Sequence, residues 1–159
     1  MKTAQLVSVL SAADLSSLLA LEAAGFGQRE RWSARSWQAE LLAASRHGFA
    51  VRRGRDVVAA CLVSVMLGEA ELLRIVVAPQ QRGQGLGRRL LGEAIVCARE
   101  CGAERMLLEV SEHNDVARAL YASAGFVPIH RRENYYGPDK DALVMAKTMT
   151  SAATRGKND

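Results

Sequence analysis

The stretch Ile75-Val76-Val77-Ala78-Pro79-Gln80-Gln81-Arg82-Gly83-Gln84-Gly85-Leu86-Gly87-Arg88-Arg89-Leu90 decides the fold. A β-branched apolar run stops at Pro79, and three glycines alternate through the next turn. From Leu86 an apolar stripe then continues through Leu90, Ala94, Cys97 and Cys101 at helical spacing. The reading is a strand, a glycine-rich loop and a helix over 86–101. Free N–H groups at a helix start, backed by the helix dipole, make an anion site. Gly83, Gly85 and Gly87 take away the Cβ atoms that would hold a phosphate off the backbone. Arg82, Arg88 and Arg89 add positive charge, and a pyrophosphate suits the arrangement. A P-loop is excluded, because Arg88-Arg89 stands where Lys-Ser/Thr is needed. A dinucleotide fingerprint fits poorly, with Leu90 at its third glycine position, although Glu109 follows at a spacing that could mimic its ribose-binding acid. A glycine turn without chemistry is the bland alternative.

Outward from this loop, the elements alternate in a way that excludes a regular doubly wound sheet. A strand is expected over 3–10, followed by a helix capped by Ser11-Ala-Ala-Asp14 and broken at Gly25 and Gly27. Ser33 caps a second helix with Trp37, Leu41 and Leu42 as its buried stripe. Gly48 ends that helix, with His47 as a charge partner for its C-terminus. Strands follow over 49–53, 57–67 and 72–77, with turns at Gly54-Arg55-Asp56 and Gly68-Glu69. After the glycine helix come a strand over 105–110, a helix over 115–124 ended by Gly125, and strands over 126–135 and 142–147. The order β-α-α-β-β-β-α-β-α-β-β predicts an α/β fold with a mixed sheet.

At 159 residues the chain has the size of one domain, expected over 1–149, with the small polar tail 150–159 disordered. Hydrophobic residues at 49% and charged residues at 24% exclude an intrinsically disordered chain. Aromatic residues at 5% argue against a surface built on base stacking. The net charge of +4 tolerates a polyanionic ligand without demanding one. Three cysteines, none in Cys-x-x-Cys spacing, and no targeting or membrane-spanning segment point to a reduced, cytoplasmic protein. Cys97 and Cys101 read as packing residues of the glycine helix, and no metal site is expected.

Arg82-Gly83-Gln84-Gly85-Leu86-Gly87 resembles the Q/R-x-x-G-x-G/A signature of the GNAT acetyltransferase superfamily. Leu107-Leu108-Glu109-Val110, Asn114, Ala119-Leu120-Tyr121, Gly125-Phe126, Arg131-Arg132, Asn134-Tyr135-Tyr136 and Asp141 to Met145 follow in order. Together they are similar to the bacterial ribosomal-protein alanine N-acetyltransferase type, over most of the chain. The resemblance implies a GNAT fold, acetyl-CoA as co-substrate and the N-terminus of a ribosomal protein as acceptor, with no membrane or nucleic-acid partner. It assigns Glu109 as general base and Tyr121 as general acid or hydrogen-bond donor. It assigns coenzyme contacts to Ile75, Val76, Val77, Arg82, Gly83, Gln84, Gly85, Leu86, Gly87, Arg88 and Asn114, with the Val77 amide as oxyanion donor. Tyr135 and Tyr136 would wall a peptide slot, one of them directly, because neighbours on a strand point to opposite faces.

Residue chemistry runs alongside. Glu109 interrupts an apolar strand, where an acid has no packing purpose and burial among Met106, Leu107, Leu108 and Val110 is expected. An α-amino group (pKa about 7.7–8.0) gives up its proton about 3–4 kcal/mol more cheaply at neutral pH than a lysine (about 10.4). A single carboxylate base therefore suits a chain terminus. Ser111, His113 and His130 depart from the family pattern near the acceptor end, and His113 reads as a surface residue or a second base. Two other readings stay open: a different acceptor (a lysine, another terminus or a small amine), and a non-catalytic coenzyme-binding or RNA-associated module.

Overall fold

The computed structural model describes residues 6–149. Its elements are β1 (Val7–Val9), α1 (Leu15–Gly25), α2 (Ala34–Leu42), β2 (Arg46–Arg53), β3 (Asp56–Met66), β4 (Glu69–Val77), α3 (Leu86–Glu100), β5 (Arg105–Ser111), α4 (Asp115–Ser123), β6 (Val127–Arg132) and β7 (Ala142–Thr148). That is the order expected from sequence. The strands form a seven-stranded mixed sheet in the order β1-β2-β3-β4-β5-β7-β6. The expected strand residues 3–5 and the expected tail 150–159 lie outside the described residues. Two compact units divide the chain: residues up to 64 with 73–94, and residues 65–72 with those from 95 onward.

In the first unit, Ser11 and Asp14 form a reciprocal capping box over a short 3-10 turn, and α1 follows directly. Ser33 caps α2 by accepting from the Ser36 amide at 3.1 Å. Leu18, Trp37, Ala60 and Leu62 are fully buried in one cluster with Leu21 and Val76. Each large apolar side chain so buried contributes about 1.5–3 kcal/mol. On α3, Leu86, Leu90 and Ala94 of the predicted stripe are buried, and so is Leu91, which the spacing did not single out.

Three local expectations are corrected. Leu42 is 81% exposed rather than buried, because α2 ends there. His47 and Gly48 lie inside β2, opposite Val63 and Leu62, and do not end a helix. A Cβ on Gly48 would sit 2.9 Å from the Leu10 side chain, so the packing of Leu10, just after β1, selects glycine here. Likewise Cys101 follows the end of α3 and is exposed, so it is not a packing residue. Cys97 is half-buried, and burial, followed by the neighbouring Cys101, pushes its thiol up to about 11.

In the second unit, β5 runs parallel to β4 (Glu71 opposite Leu107) and antiparallel to β7 (Glu109 opposite Val144). Beyond β7, β6 pairs antiparallel with an irregularity between Pro128 and His130, and every β6 residue is exposed. Gly125, at φ +95°, turns the chain out of α4. Among the described residues no helix is long and apolar enough to cross a membrane.

Candidate active site

The glycine loop has the backbone that an anion cradle requires. Gly83 and Gly85 take φ +78° and +80°, and no atom lies within 4 Å of where their Cβ atoms would be. The first helical bond of α3 through this turn runs from the Arg89 amide to the Gly85 carbonyl at 3.1 Å. The amides of Leu86, Gly87 and Arg88 therefore have no intrahelical acceptor. Arg82 is held against the loop by its Nε, which donates to the Val77 carbonyl at 3.3 Å. Arg88, in the first turn of α3, is exposed. These open amides and fixed cations fit the pyrophosphate of a coenzyme. Leu86 and Val76 are buried, so their contribution to such a ligand is confined to the backbone. The Gln84 side chain bonds to Arg53 and Gln81, which leaves its backbone for the same role.

Strand β5 presents Glu109 differently from the sequence expectation. Met106, Leu108 and Val110 point into the core, while Glu109 shares the opposite, half-buried face with Leu107 and Ser111. Strand alternation thus keeps the acid off its apolar neighbours. Arg132 of β6 places Nη1 3.1 Å from Glu109 Oε1. The Tyr135 phenol is bonded to the same carboxylate. The negative charge of Glu109, then that hydrogen bond and burial, raise the phenol above its ordinary pKa; Arg132 opposes the rise and Glu71 adds to it. The Arg132 guanidinium also lies 5.4 Å from the centre of the Tyr135 ring.

Tyr135 and Tyr136 sit in the turn after β6 and not on a strand, so the alternation argument does not apply to them. Their rings meet edge to face, 5.0 Å apart. The turn is braced by Asp141, whose Oδ1 accepts from the Asn134 amide at 2.9 Å and whose Oδ2 accepts from Arg131 at 3.2 Å. Those contacts, the Asn134 amide first, hold the Asp141 carboxyl below its usual range. Asn134 and Asp139 take left-handed φ values of +53° and +57°, and the Asn134 side chain accepts from the Asp139 amide at 2.9 Å.

Tyr121 of α4 is 5% exposed and packs edge to face with Phe126 at 6.1 Å. Asn114 caps α4, its Oδ1 accepting from the Ala117 amide at 3.1 Å. His113 is exposed and lies 3.2 Å from the Asp139 carbonyl. Within the second unit, Glu109, Arg132 and Tyr135 form one constellation. Sequence reasoning missed Arg132 as a partner of Glu109: the Arg131-Arg132 pair was visible, but its reach across β7 was not.

The family model for the acetyltransferase (GNAT) family matches residues 13–126. The ribosomal protein bS18-alanine N-acetyltransferase of Escherichia coli (strain K12) is 33% identical over 130 residues, 77% of this chain and 88% of that one. The N-alpha-acetyltransferase RimI of Mycobacterium tuberculosis is 35% identical over 135 residues, covering 82% and 83%. The crystal structure of the ribosomal-protein-S18-alanine N-acetyltransferase from Escherichia coli superposes with a TM-score of 0.85 at 30% identity, over 98% of both chains. An anion cradle at the start of α3 and a sequence match through most of the chain agree: this chain belongs to the acetyltransferase (GNAT) family and is an acetyl-CoA-dependent N-acetyltransferase.

Proposed function

We propose that the chain acetylates the N-terminal α-amino group of an alanine on a ribosomal protein of the small subunit. The observation that carries the chemistry is the Glu109 carboxylate, half-buried and partnered by Arg132 and Tyr135. The acceptor is supported by the names of the relatives and of the solved structure. Acetyl-CoA, when bound, supplies the acetyl group as an activated thioester.

The chain's own residues do the rest. The amides of Leu86, Gly87 and Arg88, the open backbone at Gly83 and Gly85, and the Arg82 and Arg88 cations hold the pyrophosphate. Gln84 adds its backbone to the cradle, and Asn114 is assigned to the coenzyme by the family resemblance alone. The backbone of Ile75, Val76 and Val77 would line the coenzyme arm, with the Val77 amide as the oxyanion donor. Glu109 takes the proton of the acceptor ammonium. Tyr121 donates to the leaving sulfur. Tyr135 and Tyr136 shape the acceptor's entry.

The test is to incubate the chain with acetyl-CoA and unacetylated small-subunit ribosomal proteins, then map N-terminal peptides by mass spectrometry. Acetyl on an N-terminal alanine is expected. Acetyl found on lysine side chains alone contradicts the acceptor assignment.

A further inference from the structure

Arg132 starts two strands away from the carboxylate it contacts. On β7, Val144 pairs with Glu109 of β5 and with His130 of β6, while Ala142 pairs with Ser111 and Arg132. Neighbouring strands lie about 4.8 Å apart, so the guanidinium must cross β7 over Ala142 and Val144 to place Nη1 3.1 Å from Glu109 Oε1. Both side chains keep solvent contact, at 49% and 23% exposure, and a pair so exposed stabilises a fold little. The contact instead bears on how the carboxylate is oriented. A guanidinium is a planar fork of fixed donors, and it restricts the rotation of the carboxylate it grips. The Tyr135 phenol interacts with the same carboxylate.

We propose that Arg132 is a positioning residue of the transfer reaction: it acts through Glu109, holding the carboxylate in the orientation that meets the acceptor amine. The inference rests on Glu109 being the base, as assigned under the proposed function. Arg132 itself touches neither the acceptor nor the coenzyme in this assignment. Tyr135 reports on the constellation, since the charged groups facing it are Glu109 from β5, Glu71 from β4 and Arg132 from β6.

The experiment compares the full-length chain with its Arg132→Met, Arg132→Lys and Arg105→Met variants. Arg105 opens β5, pairs with Glu69 at 2.9 Å and serves as the control for losing an exposed cation. kcat and KM are measured separately with acetyl-CoA and a peptide beginning with a free alanine. In parallel, the phenolate absorbance of Tyr135 is titrated and assigned with Tyr135→Phe. Arg132→Met is expected to lose about 10- to 100-fold in kcat, with KM for the peptide held within about twofold. Arg132→Lys, which keeps the charge without the fork, recovers part of the loss, and Arg105→Met stays within about twofold of the parent. Tyr135 titrates higher in Arg132→Met, because the opposing cation is gone. A kcat within about twofold of the parent in Arg132→Met, an equal loss in Arg105→Met, or a loss confined to KM overturns the inference. An unmoved Tyr135 titration in an active chain overturns it alone. A parent chain that acetylates nothing overturns the base assignment and this inference together.

Discussion

The guanidinium of Arg74 donates to both carboxylate oxygens of Glu22, a side chain only 1% exposed, with Nε 2.9 Å from Oε1. The same carboxylate accepts from Trp37 Nε1 at 3.2 Å and from the Trp32 amide at 3.1 Å. Arg74 also donates to the Glu30 carbonyl at 2.8 Å and lies 3.6 Å over the Phe26 ring. One buried charge pair thus ties β4, α1, α2 and the segment between the two helices.

Removing one partner leaves the other charged and buried. Glu22→Ala is therefore expected to cost about 3–5 kcal/mol of stability, and a paired replacement, Glu22→Leu with Arg74→Met, to recover most of it. Urea unfolding of the three proteins measures both. A cost near zero for Glu22→Ala contradicts the structural role given to the pair.

The acid limb of stability follows from Asp14. Its carboxylate accepts from Arg52 Nη2 at 2.9 Å and from the Ser11 amide at 2.9 Å, and Arg52 first holds its pKa below the usual value. The folded-state pKa is lower than the unfolded-state one, so the contribution is present above the unfolded value of about 4 and is lost as pH falls below it. Asp141 acts in the same direction. Urea midpoints followed from pH 6 down to about pH 2 should fall less steeply in Asp14→Asn than in the parent. Parallel slopes would remove Asp14 from the account.

At Gly85 the folding effect and the ligand effect separate. Its φ of +80° makes Gly85→Ala cost about 1–2 kcal/mol, but the new methyl group meets no protein atom. It projects instead into the space assigned to the pyrophosphate. KM for acetyl-CoA should rise at least about tenfold while the variant stays folded at 25 °C. Unchanged KM in a folded variant would move the coenzyme away from this loop.

Glu109→Gln and Tyr121→Phe test the assigned chemistry. Each is expected to lower kcat by about 10²- to 10⁴-fold with acetyl-CoA binding retained, as calorimetry can show. Turnover near the parent in both would reject the two roles even in an active enzyme.

The element order and the glycine turn before α3 were legible because their signals are local: Pro79 stopping a β-branched run, alternating glycines, an apolar stripe from Leu86, and cap residues at Ser11 and Ser33. What escaped depends on contacts between distant segments. Gly48 reads as a helix stop until Leu10 is packed against it. The half-exposed setting of Glu109 follows from strand alternation, which the apolar run around it hides. Arg132 becomes a partner of Glu109 only once β7 is known to lie between β5 and β6. The tyrosine pair was legible as residues but not as a turn, because the turn is built by Asp141 and by left-handed Asn134 and Asp139.

The most direct test of the central claim places two peptides in one tube with acetyl-CoA and the chain. One begins with free Ala-Arg and contains no lysine; the other has a blocked terminus and internal lysines. Mass spectrometry should find acetyl on the first peptide alone. Acetyl on the second alone would contradict the terminal-alanine assignment while leaving the fold and the coenzyme intact.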